Sequence, residues 1–139
     1  MFSVIIPSLN NLEYLKLCIK SLTKNSSYNH EIIIHVNIGN DGTLEYLEKN
    51  NIKYTHTSYN AGIPEGVNKA ASKATTNFIV YGHDDFYFLP GWDEAFLNEI
   101  NRMPNNLYYF SGTMVQNGQV NLDCGNNLNE FNEKKLLNE

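Results

Sequence analysis

Only two cysteines occur in this chain, Cys18 and Cys124, and they fall in unlike surroundings, so no disulfide framework is expected. Basic residues are outnumbered: ten Lys and Arg stand against fifteen Asp and Glu, a net charge of −5 with no basic stripe. Broad binding to nucleic acid, which needs cations gathered on one face, is thereby set aside. Long apolar runs are missing too. Val4-Ile5-Ile6 and Ile32-Ile33-Ile34 are of strand length, far short of a bilayer span, so no transmembrane segment is expected. The opening residues Met1-Phe2-Ser3-Val4 lack a basic segment leading into an apolar stretch; no secretory signal is read, and the expected location is the cytoplasm. The first strand-like run ends in Pro7-Ser8-Leu9-Asn10-Asn11, without the glycines of a dinucleotide fingerprint or a Walker A loop. Neither an acidic cluster of response-regulator type nor a glycine and arginine loop of pyrophosphorylase type follows it.

What is present is an alternation of strand-like and helix-like segments. At 139 residues, 42% hydrophobic and 18% charged, the chain suits one soluble domain. Residues 2–7 read as a first strand, apolar enough to be covered on both faces. Asn10 or Asn11 can then cap a helix whose Leu12, Leu15, Ile19 and Leu22 share one face, with Cys18 among them as a small buried hydrophobe. A second strand at 31–36 leads into Asn37-Ile38-Gly39-Asn40-Asp41-Gly42-Thr43, where Gly and Asn supply the positive φ of a turn. A short helix through Leu44 and Leu47 follows, then a third strand at 52–57.

Asn60-Ala61-Gly62 breaks that strand, and Pro64 opens a helix carrying Val67, Ala70, Ala71 and Ala74. The fourth strand, 78–81, reads as buried, and a helix runs from Trp92 to about Asn101. Gln116-Asn117-Gly118, between the strand-like runs 107–115 and 119–122, signals a hairpin. The whole predicts an α/β fold with a mostly parallel sheet and a late antiparallel hairpin. The domain is expected over residues 1–124, with 125–139 a polar, loosely held tail.

The chemistry concentrates where the fourth strand ends, in Gly82-His83-Asp84-Asp85. In an open α/β sheet, ligands bind just outside the carboxyl ends of the strands. Paired carboxylates there suit Mg2+ or Mn2+ holding a phosphate, although Asp-Asp after a strand also serves plain turn chemistry.

Taken in order, Ser3-Val4-Ile5-Ile6-Pro7-Ser8-Leu9-Asn10-Asn11, Asp41-Gly42-Thr43, Asn60-Ala61-Gly62 with Asn68, His83-Asp84-Asp85 and Pro90-Gly91-Trp92 closely resemble the family 2 glycosyltransferases. The likeness covers about the first 100 residues. It implies the GT-A fold, a Rossmann-like three-layer sandwich, and a nucleotide-sugar donor whose sugar passes to a saccharide or other hydroxyl acceptor with inversion. It also implies a divalent ion, Mn2+ or Mg2+, and favours UDP weakly. By the resemblance Pro7, Ser8 and Asn10 line the nucleotide, Asn37 and Asn68 approach it, Asp84 stands near the ribose or donor sugar, and Asp85 is the metal ligand.

The pattern also departs from the family. His83 replaces the first acid of the Asp-x-Asp motif, and Val36 and Asn37 stand where an acid commonly reads the base. For the catalytic base the candidates are Glu130, Glu133 and Glu139, in the polar tail. Phe131-Asn132-Glu133 faintly matches the Phe-Asp-Glu segment that precedes the family's base, in which case the chain stops just short of that residue. The rival expectation is a non-catalytic nucleotide-sugar binding module, a relic or a fragment without the base.

Overall fold

The computed structural model describes residues 1–105, 107–113 and 122–138. It divides into two compact units, Met1–Pro90 and Gly91–Glu139. The first contains four strands and three helices: β1 (Ser3–Leu9), α1 (Leu12–Asn25), β2 (Glu31–Asn37), α2 (Thr43–Lys49), β3 (Lys53–Thr57), α3 (Gly62–Ala71) and β4 (Ile79–Tyr81). All pairings are parallel and the strand order is β3-β2-β1-β4. No helix among the described residues is long and apolar enough to cross a membrane.

Alternation along β1 divides its side chains between two faces. Ile5 and Ile33 face α3, which lays Ala70 on them with Val67 and Ala74 alongside. Gly66 brings α3 close to β2, because a Cβ there would stand 2.6 Å from His35 Cδ2. His35 is wholly buried, its Nδ1 2.8 Å from Thr55 Oγ1 and its Nε2 3.3 Å from Thr57 Oγ1. On α1 the stripe Leu15, Cys18, Ile19 and Leu22 is buried, as its spacing predicts. Helix α3 packs on β1 and β2, and because parallel crossovers are right-handed as a rule, the steps from β1 to β2 to β3 and back to β4 imply α1 and α2 on the opposite face. This gives the expected three layers.

At the amino end of the sheet, Glu31 ties four segments together. Its carboxylate accepts from Ser3 Oγ at 2.5 Å, from Thr75 N–H at 2.9 Å and Thr75 Oγ1 at 3.1 Å, and pairs with Lys53. Burial works against this charge, but the bonds from Lys53, Ser3 and Thr75 outweigh it and hold the carboxyl down to about 2.

Several expectations need correction. β4 is an edge strand among the described residues, three residues long, and Ile79 and Tyr81 are 53% and 43% exposed; α3 covers the β1 and β2 side of its face and stops short of them. Helix α3 starts at Gly62, two residues before Pro64, which sits in the first turn where its missing N–H costs nothing. Asn11 occupies the N-cap of α1 without a side-chain bond. The described residues 107–113 form no strand, and the Gln116-Asn117-Gly118 turn of the expected hairpin lies outside the described residues.

In the second unit, α4 (Trp92–Arg102) sets Trp92 edge-on to Phe96, and Phe96 meets Phe110 in the same way, with centroids 5.6 and 5.2 Å apart. The expected loose tail contains a helix, α5 (Glu133–Leu137), capped by Asn132 Oδ1, which accepts the Lys135 N–H at 2.9 Å.

Candidate functional site

The strand order reverses between β1 and β4, the kind of switch point at which open α/β sheets form a ligand crevice outside the carboxyl ends of the strands. Pro7 helps to end the pairing there. The β1–β4 ladder runs through Ser3 N–H to Phe78 O and Gly82 N–H to Ile5 O, both in the same pattern. Its next rung would need an N–H on residue 7, which proline lacks. The last paired residue on β4 is therefore Tyr81, after which the chain leaves the sheet and turns at Asp84 and Asp85, closed by the Phe86 N–H donating to His83 O.

Ser8, 3% exposed, donates its hydroxyl to Asp84 Oδ2 at 2.7 Å and so joins the ends of β1 and the turn after β4. Asp85 is exposed, and among the described residues its carboxylate has no hydrogen-bond partner. Beneath the pair, buried Cys18 donates its thiol to His83 O at 3.3 Å. Burial, reinforced by the charges of Asp84 and Asp85, pushes that thiol up to about 12, so it stays protonated and inert. His83 lies between Tyr81 and Phe86, ring centroids 4.9 and 5.1 Å away, with Nε2 2.8 Å from Tyr81 Oη. Burial, then the charge of Asp85, raises the Tyr81 phenol above its ordinary value.

The asparagines predicted to meet a nucleotide divide into two kinds. Asn10 and Asn37 are structural ties as well as rim residues: Asn10 Oδ1 accepts from Gly39 and Asn40 N–H, and buried Asn37 Oδ1 accepts from Ala61 N–H at 2.8 Å. Asn68 is exposed and lines an open cavity of about 270 Å³ with Ile63, Pro64, Val67 and Tyr81, between α3 and β4. Pro7 is buried within β1.

No group of three His, Cys, Asp or Glu side chains that could hold a metal ion forms among the described residues. The donor set still fits a hard divalent ion, because Asp85 is uncommitted and Asp84 keeps one oxygen clear of the Ser8 bond. Such an ion takes its remaining ligands from phosphate oxygens and water.

The candidate bases belong to the second unit. Glu130 accepts from Asn126 N–H and Nδ2 and from Asn127 Nδ2, and these bonds, that from the Asn126 amide foremost, hold its carboxyl below the usual range. A carboxylate stabilised in this way is a poorer proton acceptor. Glu133 opens α5, and Glu139 lies outside the described residues. Asp41, which the sequence offered as part of a turn and of the Asp41-Gly42-Thr43 segment of the family resemblance, proves to bridge two loops. Its Asp-Gly-Thr setting carried the signal for a local turn and none for the longer reach.

Residues 3–135 match the model of a family described as Glycosyl transferase family 2. Among curated proteins none matches the chain significantly. Among solved structures, S. aureus TarS 1–349 superposes with a TM-score of 0.65 at 26% identity, over 73% of this chain and 32% of that one. Its complex with UDP gives 0.61 at 28% identity, over 70% and 32%. A mannosyltransferase from Pyrobaculum calidifontis, PcManGT, in complex with GDP-Man and Mn2+, gives 0.56 at 18% identity, over 68% and 30%. The fold is the GT-A α/β sandwich that the sequence predicts, and the chain spans 32% of the length of the TarS 1–349 structure.

Proposed function

This chain belongs to glycosyl transferase family 2, and we propose that its crevice binds a nucleotide-sugar donor, a UDP-sugar by preference, for transfer of the sugar to a hydroxyl acceptor. The observation that carries this reading is the Ser8–Asp84 bond at the switch point. It fixes one carboxylate of an adjacent pair and leaves the other, Asp85, free to meet a ligand. The lean to UDP rests on the TarS complex, at 28% identity.

In this reading Pro7 and Ser8 form the back of the nucleotide wall, and Asn10, Asn37 and Asn68 offer amides to the nucleotide. Asp84 is held where it can meet the ribose or sugar, and Asp85 would hold Mn2+ or Mg2+. The bound ion neutralises the diphosphate, a poor leaving group while its charge is exposed. Transfer is by direct displacement with inversion, the acceptor hydroxyl losing its proton to a carboxylate, for which Glu133 and Glu139 remain candidates and Glu130 is disfavoured by its bonds. The donor-binding domain spans 1–124 with 125–139 as its tail, and the protein works in the cytoplasm.

A second reading is favoured by one observation: this chain spans only 32% of the TarS structure. On that reading it is a donor-binding module without its own base. Calorimetric titration of UDP and GDP with and without Mn2+, followed by an assay for donor hydrolysis, separates the two. Metal-dependent binding with turnover supports the transferase and binding without turnover the module, while a folded protein that binds neither nucleotide overturns both. Asp85→Ala is expected to lose the metal-dependent part of the affinity while remaining folded.

A further inference from the structure

The loops that follow β1 and β2 hold each other by a reciprocal pair of side chains. Asn10, at φ 47°, reaches forward, its Oδ1 accepting the N–H groups of Gly39 at 3.1 Å and Asn40 at 3.2 Å. Asp41 reaches back. Its Oδ2 accepts the Leu12 N–H at 2.9 Å, while its Oδ1 accepts the Thr43 N–H at 3.2 Å and the Thr43 hydroxyl at 2.7 Å. Leu12 and Thr43 are the first residues of α1 and α2, so one carboxylate serves the opening amides of both helices. Asn11, next to Leu12, supplies no side-chain cap of its own.

Between these anchors the backbone is strained. Ile38 is held at φ 65°, a region that β-branched residues seldom enter. Its N–H donates to Thr57 O at 2.8 Å and its carbonyl oxygen lies 2.9 Å from His56 Nε2. Such a conformation persists only where its surroundings over-determine it, and here Asn10, Asp41, His56 and Thr57 all do so. Asn37, at the head of this turn, takes its place on the rim from it.

We propose that Asp41 is a positioning residue for the donor nucleotide, its carboxylate setting the 37–43 loop against the tip of β1 so that Asn10 and Asn37 keep their places on the nucleotide wall. This rests on the donor-site reading above. An aspartate is required because the position accepts three hydrogen bonds on two oxygens and donates none; an asparagine has a single acceptor oxygen and would turn its amide hydrogens toward Leu12 or Thr43. Burial opposes the charge, but the bonds from Thr43 and Leu12 prevail and hold the carboxyl below its ordinary value, so it is ionised at neutral pH.

The test compares wild type, Asp41→Asn, Asp41→Ala and Glu31→Gln, the last altering the opposite end of the sheet. UDP and GDP with Mn2+ are titrated calorimetrically, thermal unfolding is followed, and amide hydrogen exchange is read at Leu12, Gly39, Asn40 and Thr43. Asp41→Ala is expected to weaken nucleotide affinity by about tenfold or more, as loss of an outer support does at other sites, and to speed exchange at those four amides. Asp41→Asn should show a smaller loss of the same kind, and it carries the test if the alanine variant does not fold. Glu31→Gln should unfold at lower temperature with unchanged affinity. An Asp41→Ala protein that binds within twofold of wild type would overturn the proposal and leave the donor site standing. A wild type that binds neither nucleotide would overturn both.

Discussion

Ser8 Oγ donates to Asp84 Oδ2 at 2.7 Å across 76 residues of sequence, joining the carboxyl end of β1 to the turn after β4. The bond forms at the one place where the strand order reverses, and it requires that the β1–β4 ladder has already ended at Pro7. Ser8→Ala removes the donor and leaves a half-buried carboxylate short of a partner. A loss of about 1–3 kcal/mol of stability is expected in urea unfolding, together with weaker nucleotide binding. Unchanged values of both would show that the turn holds Asp84 without help from Ser8.

Gly66 and His35 make a second close approach. Adding a methyl group at Gly66 places carbon 2.6 Å from His35 Cδ2, and the ring is buried and tied to Thr55 and Thr57. Gly66→Ala should cost about 1–3 kcal/mol, and combining it with His35→Ala should cost less than the sum of the two single changes. Additive losses in that double-mutant cycle would remove the contact from the account.

Acid is expected to lower stability across two pH windows. Burial, then the charge of Lys69, lowers the His35 imidazole below its ordinary value of 6.5, so the unfolded chain takes up a proton there that the folded chain refuses. Stability therefore falls as pH drops below about 6.5. Glu31 adds a second window: its carboxyl is lowered from 4.5 to about 2, and the stability it gives, complete above 4.5, is lost as pH falls between those values. Urea midpoints measured from pH 7 to pH 3 should decline, and Glu31→Gln should flatten the lower part of the curve.

The cysteines should differ in reactivity. Cys18 is wholly buried with its thiol held protonated, while Cys124 is half-exposed in the second unit. A thiol reagent at pH 8 should label Cys124 alone in the folded protein and both residues in denaturant. Native labelling of Cys18 would mean that α1 opens readily.

The parallel α/β pattern was legible because periodicity is a local property. The run through Val4, Ile5 and Ile6, the stripe Leu15, Cys18, Ile19 and Leu22, and the turn residues between them encode their elements over a few neighbours. The carboxylate pair was legible for the same reason, since it directly follows a strand. The exposure of Ile79 and Tyr81 was not legible. An apolar strand reads alike whether it is central or at an edge, and only the order β3-β2-β1-β4 decides which it is.

By itself, then, the sequence determined the elements of the first unit, their order and the residue types that gather at the strand ends, though not α5 in the tail. Tertiary structure alone decided which of those polar groups remain available. Asn10 and Asn37 commit an oxygen to neighbouring loops, Asp84 is held by Ser8, and Asp85 has no partner among the described residues. The physical reason is that a buried or half-buried polar atom must find a partner, and that partner is set by distance in space across tens of residues of chain, which no local pattern records.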